Sequence, residues 1–445
     1  MDQLRPISNL PNCNKIQERV VAEMVISDMK AKLDPSQYGN QKNKSIQHYL
    51  VRMMHRIVSN LDRNMKGDVN AVLATFIDWK SAYSHQCHIL GIKSFIQNGV
   101  RPSLIPLLIS YFQNRRMQVK FHGTLSEPKH QPGSGAQGAS LGNWEFLSQT
   151  NTNSDCVPPE DRFKYVDDLS VLEIINLLNI GLSSHNFKDQ VADDIPIHGQ
   201  VIDKSNLLTQ QYLNEINKWT VDQKMIINEK KTKSMIINFS KKYKFSARLL
   251  LNDQNVEIVD HMKILGTIFT NNLKWDKNCD AIIVKVNRRM LLLKKVLHFG
   301  ANIEEMVHLW IVYYRSILEQ SAVVWAGSLT QENKEDLERT QKCFAKLILK
   351  KEYHDGQDKA YENALMKLNL QSLEQRRKEL CLKFAKDSIK NGILNDILTE
   401  KKTKHEMVMR NPETFEVLMS NTDRMRMSSI VYMQNLLNEE IKSMK

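Results

Sequence analysis

Nothing in this sequence spaces its cysteines for metal binding or for a disulfide framework. Six cysteines in 445 residues (Cys13, Cys87, Cys156, Cys279, Cys343 and Cys381) lie far apart, with no Cys-x-x-Cys and no Cys/His ligand spacing. That pattern reads as reduced thiols in an intracellular protein. No apolar run approaches the length of a membrane span, which excludes a helical membrane protein. The opening "MDQLRPISNL" has neither the charge nor the apolar core of a signal peptide, so the expected location is cytoplasm and nucleus. "KKTK" at 401–404 is too short to define a nuclear signal, and there are no internal repeats. What is present is length for two or three domains and a basic excess. Lys plus Arg number 62 against 50 Asp plus Glu, a net charge of +12 with pI near 9.2. An excess of this kind favours a polyanionic partner, although it is spread along the chain rather than gathered in a tail.

Hydrophobic spacing divides the chain into a mixed αβ part followed by an all-α part. Ile16, Val20, Val21, Met24 and Val25 recur at helical spacing, and a second amphipathic helix starts near Ser45, a good N-cap. "AVLATFID" (71–78) is a short continuous apolar run ending in Asp78, as expected of a buried central strand. A helix carrying Ile89, Ile92 and Ile96 should stop at Gly99, and Pro102 with Ser103 should open the next. Met117, Val119 and Phe121 alternate as in a strand, and a Gly-rich loop, "PGSGAQGASLG", follows. Further on come a helix through Trp219, a strand "SMIINF", and a β-rich stretch with "NDQN" as a turn. From Trp275 the pattern is helical. Ile283, Val286, Met290, Leu293 and Leu297 line one face, and 304–325 and 331–349 each read as one long helix. The polar stretch around 398–415 is the best candidate for a flexible link.

The stretch "FKYVDDLSVLE" (163–173) sets two carboxylates, Asp167 and Asp168, between two strand-like runs. The pair falls at the turn of the predicted hairpin, where Asn-Gly or Asp-Gly is the favoured choice. Like charges held side by side need a cation or another partner. A second pair, Asp193 and Asp194, precedes Pro196 without a strand behind it and reads as a solvated turn. Asp78 is the third carboxylate. At the lip of a central strand it can face the Asp167–Asp168 turn, giving an oxygen-rich site suited to Mg²⁺. Two such ions can activate an attacking hydroxyl and steady the leaving oxygen of a phosphoryl transfer. Taken alone, Asp78 reads better as a strand-end or capping Asp.

The ordered set "LRPISNLPNCNKI", "FIDWKSAY", "GAQGASLG", "KYVDD", "INEKKTK" and "ILGTIF" resembles the successive motifs of reverse transcriptases of non-LTR (LINE-type) retrotransposons. The resemblance runs from residue 1 to about 275 and continues in "SAVVWAGSLTQENKEDLERTQKCFAKLIL" and "LEQRRKELCLKFAKDSIKN". It implies an α+β right-hand polymerase: partial fingers and an antiparallel palm sheet in 1–275, a helical thumb-like region in 276–395, and a linker with a C-terminal helix in 396–445. It implies an RNA-directed DNA polymerase that extends a DNA primer on an RNA template with dNTP. Two Mg²⁺ ions would serve, with Mn²⁺ as a substitute, held by Asp78, Asp167 and Asp168. Tyr83 matches the aromatic under the incoming sugar, where its ring would reject a 2′-hydroxyl. The competing reading is ordinary core at a strand–helix junction. Gln137 and Gly138 match the motif beside nucleotide and template, and Arg5 matches an arginine on the triphosphate. Lys231 matches a lysine that protonates the leaving pyrophosphate, although a lysine in "EKKTK" also reads as a solvated charge. Leu265 and Gly266 match the hairpin that grips the primer.

Three departures accompany the match. Ala136 stands where the family usually has Pro, and Ser84 where it often has Asp. The preceding fingers strand and the endonuclease found upstream in such elements have no counterpart, so an N-terminally truncated copy is expected. Two alternatives remain open on the sequence: a catalytically inactive nucleic-acid-binding remnant, and a maturase-like protein that binds structured RNA.

Overall fold

The computed structural model describes residues 8, 10–62, 69–131, 133–135, 138–178, 200–202, 207–243, 245–353, 359–399 and 415–443. Two helices come first, α1 (Asn12–Met29) and α2 (Ile46–Leu61). Ser45 caps α2, and its backbone N–H donates to Nδ1 of His48 at 3.1 Å to complete a capping box. The mixed part continues through β1 (Asn70–Ile77), α3 (His88–Gln97), α4 (Ile105–Phe112) and α5 (Ser140–Gln149). It then runs through β2 (Arg162–Tyr165), β3 (Asp168–Asn176), α6 (Leu208–Gln223), β4 (Lys233–Asn238) and β5 (Glu257–Ile258). A separate hairpin, β6 (His261–Ile264) and β7 (Thr267–Thr270), leads to the longer helices. These are α7 (Asp276–His298), α8 (Gln331–Leu349), α9 (Leu373–Lys390) and α10 (Ser429–Ser443). The expected order, αβ first and helical second, is the order observed.

The sheet runs β5-β4-β1-β3-β2, antiparallel except where β5 meets β4. β1 is central because its apolar run can be buried on both faces. Val72, Ala74 and Phe76 face a core shared with α2 and with the helices beyond residue 275. Ala71, Leu73 and Ile77 face a second core with Phe146 of α5 and with Leu213 and Ile216 of α6. A third cluster joins α1, α3, α4 and α5. Among the described residues no helix is long and apolar enough to cross a membrane.

Three local expectations change. α1 buries only part of the predicted face: Val21 and Val25 are buried, but Ile16, Val20 and Met24 are exposed, and Glu18 is buried in their place. The cause is polar. Glu18 Oε1 accepts from the Tyr111 hydroxyl at 2.7 Å and from the Leu141 N–H at 3.0 Å, in the first turn of α5, where a carboxylate is favoured. The run 304–325 is not one helix. It comprises Ile303–Leu309, a π-helical turn at Trp310–Arg315, Ser316–Leu318 and Ala322–Trp325, with Ser321 in the left-handed region (φ 52°). Residues 116–121 split into two-residue strands, Arg116–Met117 and Lys120–Phe121, each paired with a later segment. Of the expected link at 398–415, residues 400–414 lie outside the described residues.

Candidate active site

Asp78 follows β1 directly, and the backbone around it is clasped by the turn that precedes β4. Its carbonyl accepts from Asn228 N–H at 2.7 Å, Lys80 N–H donates to the Ile226 carbonyl at 2.8 Å, and Trp79 bridges Ile227. The registers Ile77↔Leu169 and Phe76↔Lys233, continued past the end of β1, set Asp78 between Asp168 and Lys231. Directly opposed residues of antiparallel strands share a face, so three charged groups converge there. Lys231 Nζ is 3.6 Å from Asp78 Oδ2. That oxygen is shielded from water and accepts no hydrogen bond. Asp168 is half-buried. Burial first, then the charges of Asp167 and Asp78, push its carboxyl up to about 6.

The hairpin that carries the Asp pair differs from the expected one. Tyr165 pairs with Asp168, so the two-residue turn is Val166–Asp167 and Asp168 already opens β3. Val166 takes the left-handed position, φ 58°, which strongly disfavours a β-branched residue. Asp167 is exposed at the tip. Among the described residues no group of three or more His, Cys, Asp or Glu stands close enough to hold a metal ion. The chemistry of the donors nevertheless fits a divalent cation: a buried, unbonded carboxylate oxygen on Asp78, and a neighbour whose ionisation is opposed by two like charges.

What holds Val166 was not legible in the sequence. A strap, residues 34–39, lies beside β2, with Lys164 N–H donating to Ser36 O at 3.0 Å and Tyr38 N–H to Lys164 O at 2.8 Å. Gln37 Oε1 accepts from Val166 N–H at 3.1 Å and from Gly39 N–H at 2.8 Å. A Cβ on Gly39 would lie 2.5 Å from Val166 Cγ2, so glycine is required by proximity. Lys44 Nζ donates to the Gln37 carbonyl at 2.9 Å. The strap is anchored by Asp34, whose Oδ2 is 2.7 Å from Lys164 Nζ and 3.0 Å from Arg162 Nε, all three buried. Only the glycine in "SQYGN" hinted at this.

The remaining predicted residues divide. Tyr83 stacks on Phe146 (4.8 Å between centroids) and donates to Asn143 Oδ1 at 3.1 Å, so one face of the ring is committed to packing. Burial, then Asp167, raise its hydroxyl to about 12. Leu265 (φ 46°) and Gly266 (φ 90°) form the turn between β6 and β7, and a Cβ on Gly266 would meet the Gln320 side chain. Leu265, Tyr165, Gln320, Ser45 and Gln47 line a groove of 580 Å³, which brings this turn beside the Asp-bearing hairpin. Gly138 takes φ 94°. Arg5, Gln137, Asp193 and Asp194 lie outside the described residues.

Asp168→Asn tests the electrostatics separately from chemistry. A carboxyl raised from its ordinary value to about 6 stabilises the fold fully below pH ~4, and this contribution is lost as pH rises through 6. At pH 7.5 without divalent cations, the Asn protein should therefore be more stable than wild type by about 1 kcal/mol, solvent screening included. The gain should vanish near pH 4. Equal denaturation midpoints at both pH values would remove the like-charge account.

No protein-family model matches the chain. A stretch of 142 residues is 31% identical to the probable RNA-directed DNA polymerase from transposon X-element of Drosophila melanogaster. That match covers 31% of this chain and spans 15% of the length of that protein. Telomerase from Candida tropicalis in complex with a TWJ fragment of telomeric RNA overlaps 86% of this chain and 50% of its own, at 11% identity and TM-score 0.38. Apo telomerase from the same organism overlaps 88% and 60%, at 12% identity and TM-score 0.36. Overlaps this loose carry no conclusion about fold or function.

Proposed function

We propose that the chain is the polymerase part of a non-LTR retrotransposon reverse transcriptase, extending a DNA primer on an RNA template. In this reading the five-stranded sheet is the palm and the helices from residue 276 form the thumb. The observation that carries it is the convergence of Asp78, Asp168 and Lys231 at the ends of three neighbouring strands. The curated relative's name supports the same class. Asp78, Asp167 and Asp168 would hold two Mg²⁺ ions, which when bound supply the charge that stabilises in-line phosphoryl transfer. Lys231, 3.6 Å from Asp78, would donate the proton to the departing pyrophosphate. Tyr83 would lie under the incoming sugar, Gly138 would admit close approach of nucleotide, and Leu265 with Gly266 would support the primer. Arg5 and Gln137 complete the nucleotide contacts in this proposal.

A second reading, a nucleic-acid-binding protein without catalysis, draws on the exposed Asp167 and on the absence, among the described residues, of three acidic, His or Cys side chains close enough to hold a metal ion. A primer-extension assay separates the two. Purified protein, an annealed DNA primer on RNA, dNTPs and Mg²⁺ should give extended primer, and chelation should abolish it. Tight binding of primer–template with no extension in Mg²⁺ or Mn²⁺ would select the second reading.

A further inference from the structure

Residues 115–131 form a two-stranded ribbon that buries almost nothing. Arg116–Met117 pairs with Lys129–His130, and Lys120–Phe121 pairs with Thr124–Leu125. Gln131 N–H donates to the Arg115 carbonyl at 2.8 Å and closes the base. Every residue from 118 to 130 is exposed. An isolated ribbon of this kind has little to stabilise it in water. Its side chains are also unusual for a solvated loop. Val119, Phe121 and Leu125 are exposed, Phe121 at 72%, and the Phe121 and His122 rings meet edge-on at 4.4 Å by the tip. Arg115, Arg116, Lys120 and Lys129 stand against one carboxylate, Glu127. Among the described residues no acid pairs with Arg116, Lys120 or Lys129.

The base of the ribbon is fixed to the candidate site. Ser134 N–H donates to the Gln86 carbonyl at 2.9 Å and Gly135 N–H to the Tyr83 carbonyl at 2.7 Å. A Cβ on Gly133 would lie 2.8 Å from the Gln86 carbonyl oxygen, so the contact is close. From base to tip the strands extend about 15 Å at ~3.3 Å per residue, enough to follow several nucleotides.

We infer that this ribbon is a docking element for single-stranded polynucleotide on its way to the Asp78 site, with Arg116, Lys120 and Lys129 on phosphates and Phe121 stacked on an unpaired base. Cations spaced along an extended backbone match a phosphate chain, and an exposed aromatic ring suits any base face. A paired base is already stacked on both sides, so the Phe121 ring favours the single strand over a duplex. The inference rests on the polymerase reading for what the bound strand does next, but not for its test.

The test measures anisotropy of the full chain on two primer–templates, one blunt and one with a single-stranded 5′ template overhang of about ten nucleotides. Wild type should bind the overhang substrate more tightly. Arg116→Gln/Lys120→Gln/Lys129→Gln should weaken overhang binding by about tenfold or more and lower the slope of log affinity against log salt by ~2, because each phosphate contact contributes about 0.7. Phe121→Ala should weaken it about fivefold or more with the slope unchanged. Blunt-duplex affinity and melting temperature should stay at wild-type values for both variants. Equal losses on blunt and overhang substrates would make the ribbon a duplex contact, and no loss on either would remove it from binding altogether; each result overturns the inference. If the ribbon variants behave as expected while wild type never extends a primer, the polymerase reading fails and the docking element stands.

Discussion

Asp78→Asn protein should fold, bind primer–template and fail to extend it. The substitution keeps shape and removes one charge. In the fold the substitution costs the ion pair with Lys231, 3.6 Å long and solvent-exposed on the lysine side, a kind of contact worth little. In the proposed chemistry the same charge is one of the few that hold the metal ions, and losing it removes several kcal/mol of transition-state stabilisation, about a thousandfold or more in rate. Asp167→Asn should behave alike, with even less effect on folding, since Asp167 sits exposed at the turn. Asp193→Asn, in the second aspartate pair of the sequence, is the control and should extend at the wild-type rate. The measurement is single-nucleotide extension at saturating dNTP beside a binding isotherm and a melting curve. Extension retained by both Asp78→Asn and Asp167→Asn would sink the metal assignment.

The largest effect on stability should come from Asp34→Ala. Its carboxylate faces Lys164 at 2.7 Å and Arg162 at 3.0 Å, and the lysine side chain is 3% exposed. Burial by itself would push Asp34 up, yet the two cations and the Ser36 N–H hold it below the ordinary carboxylate value. Removing it leaves two buried cations facing each other, a change that typically costs about 3–5 kcal/mol. Adding Lys164→Met to the same chain should recover part of the loss, because the uncompensated charge goes too. Because Asp34 is depressed in the fold, its contribution is present above pH ~4 and is lost as pH falls below that. Urea midpoints for the single and double variants test this, and a single variant within ~0.5 kcal/mol of wild type would show that the cluster is dispensable.

Much of the sheet was readable because its signals are local. The apolar run 71–77 needs no partner to be identified as a central strand, and Asp78 is then fixed at its lip. Ser45 and the paired runs around 165–168 are also read within a few residues. The misreadings arise where distant residues decide. Glu18 turns α1 because Tyr111 and Leu141 offer donors, which no periodicity reveals. Val166 occupies a backbone region that its own side chain opposes, and it is held there by Gln37 and Gly39, well over a hundred residues earlier. A propensity argument therefore assigned the turn to the two carboxylates, one residue too late. The break at Ser321 falls within a run whose apolar spacing continues without interruption, so pattern alone joins what the backbone separates.

The contact between Asp62 and residues 421–422 bears on how the polypeptide acquires its shape during synthesis. Asp62, just past α2, accepts from the Thr422 N–H at 2.8 Å and from the Asn421 N–H at 3.0 Å, and α10 packs against α2 and α9. The partners are 360 positions apart. A ribosome making the chain at about 5–20 residues per second needs roughly 20–70 s to deliver that second half. During that interval the apolar face of α2 that later meets α10 has no cover from it. Interactions closed over such distances form late and slow the approach to the native state. The nascent chain should therefore pass through a stage in which the sheet is formed but α2 is partly uncovered, a natural substrate for chaperones until residues 415–443 arrive.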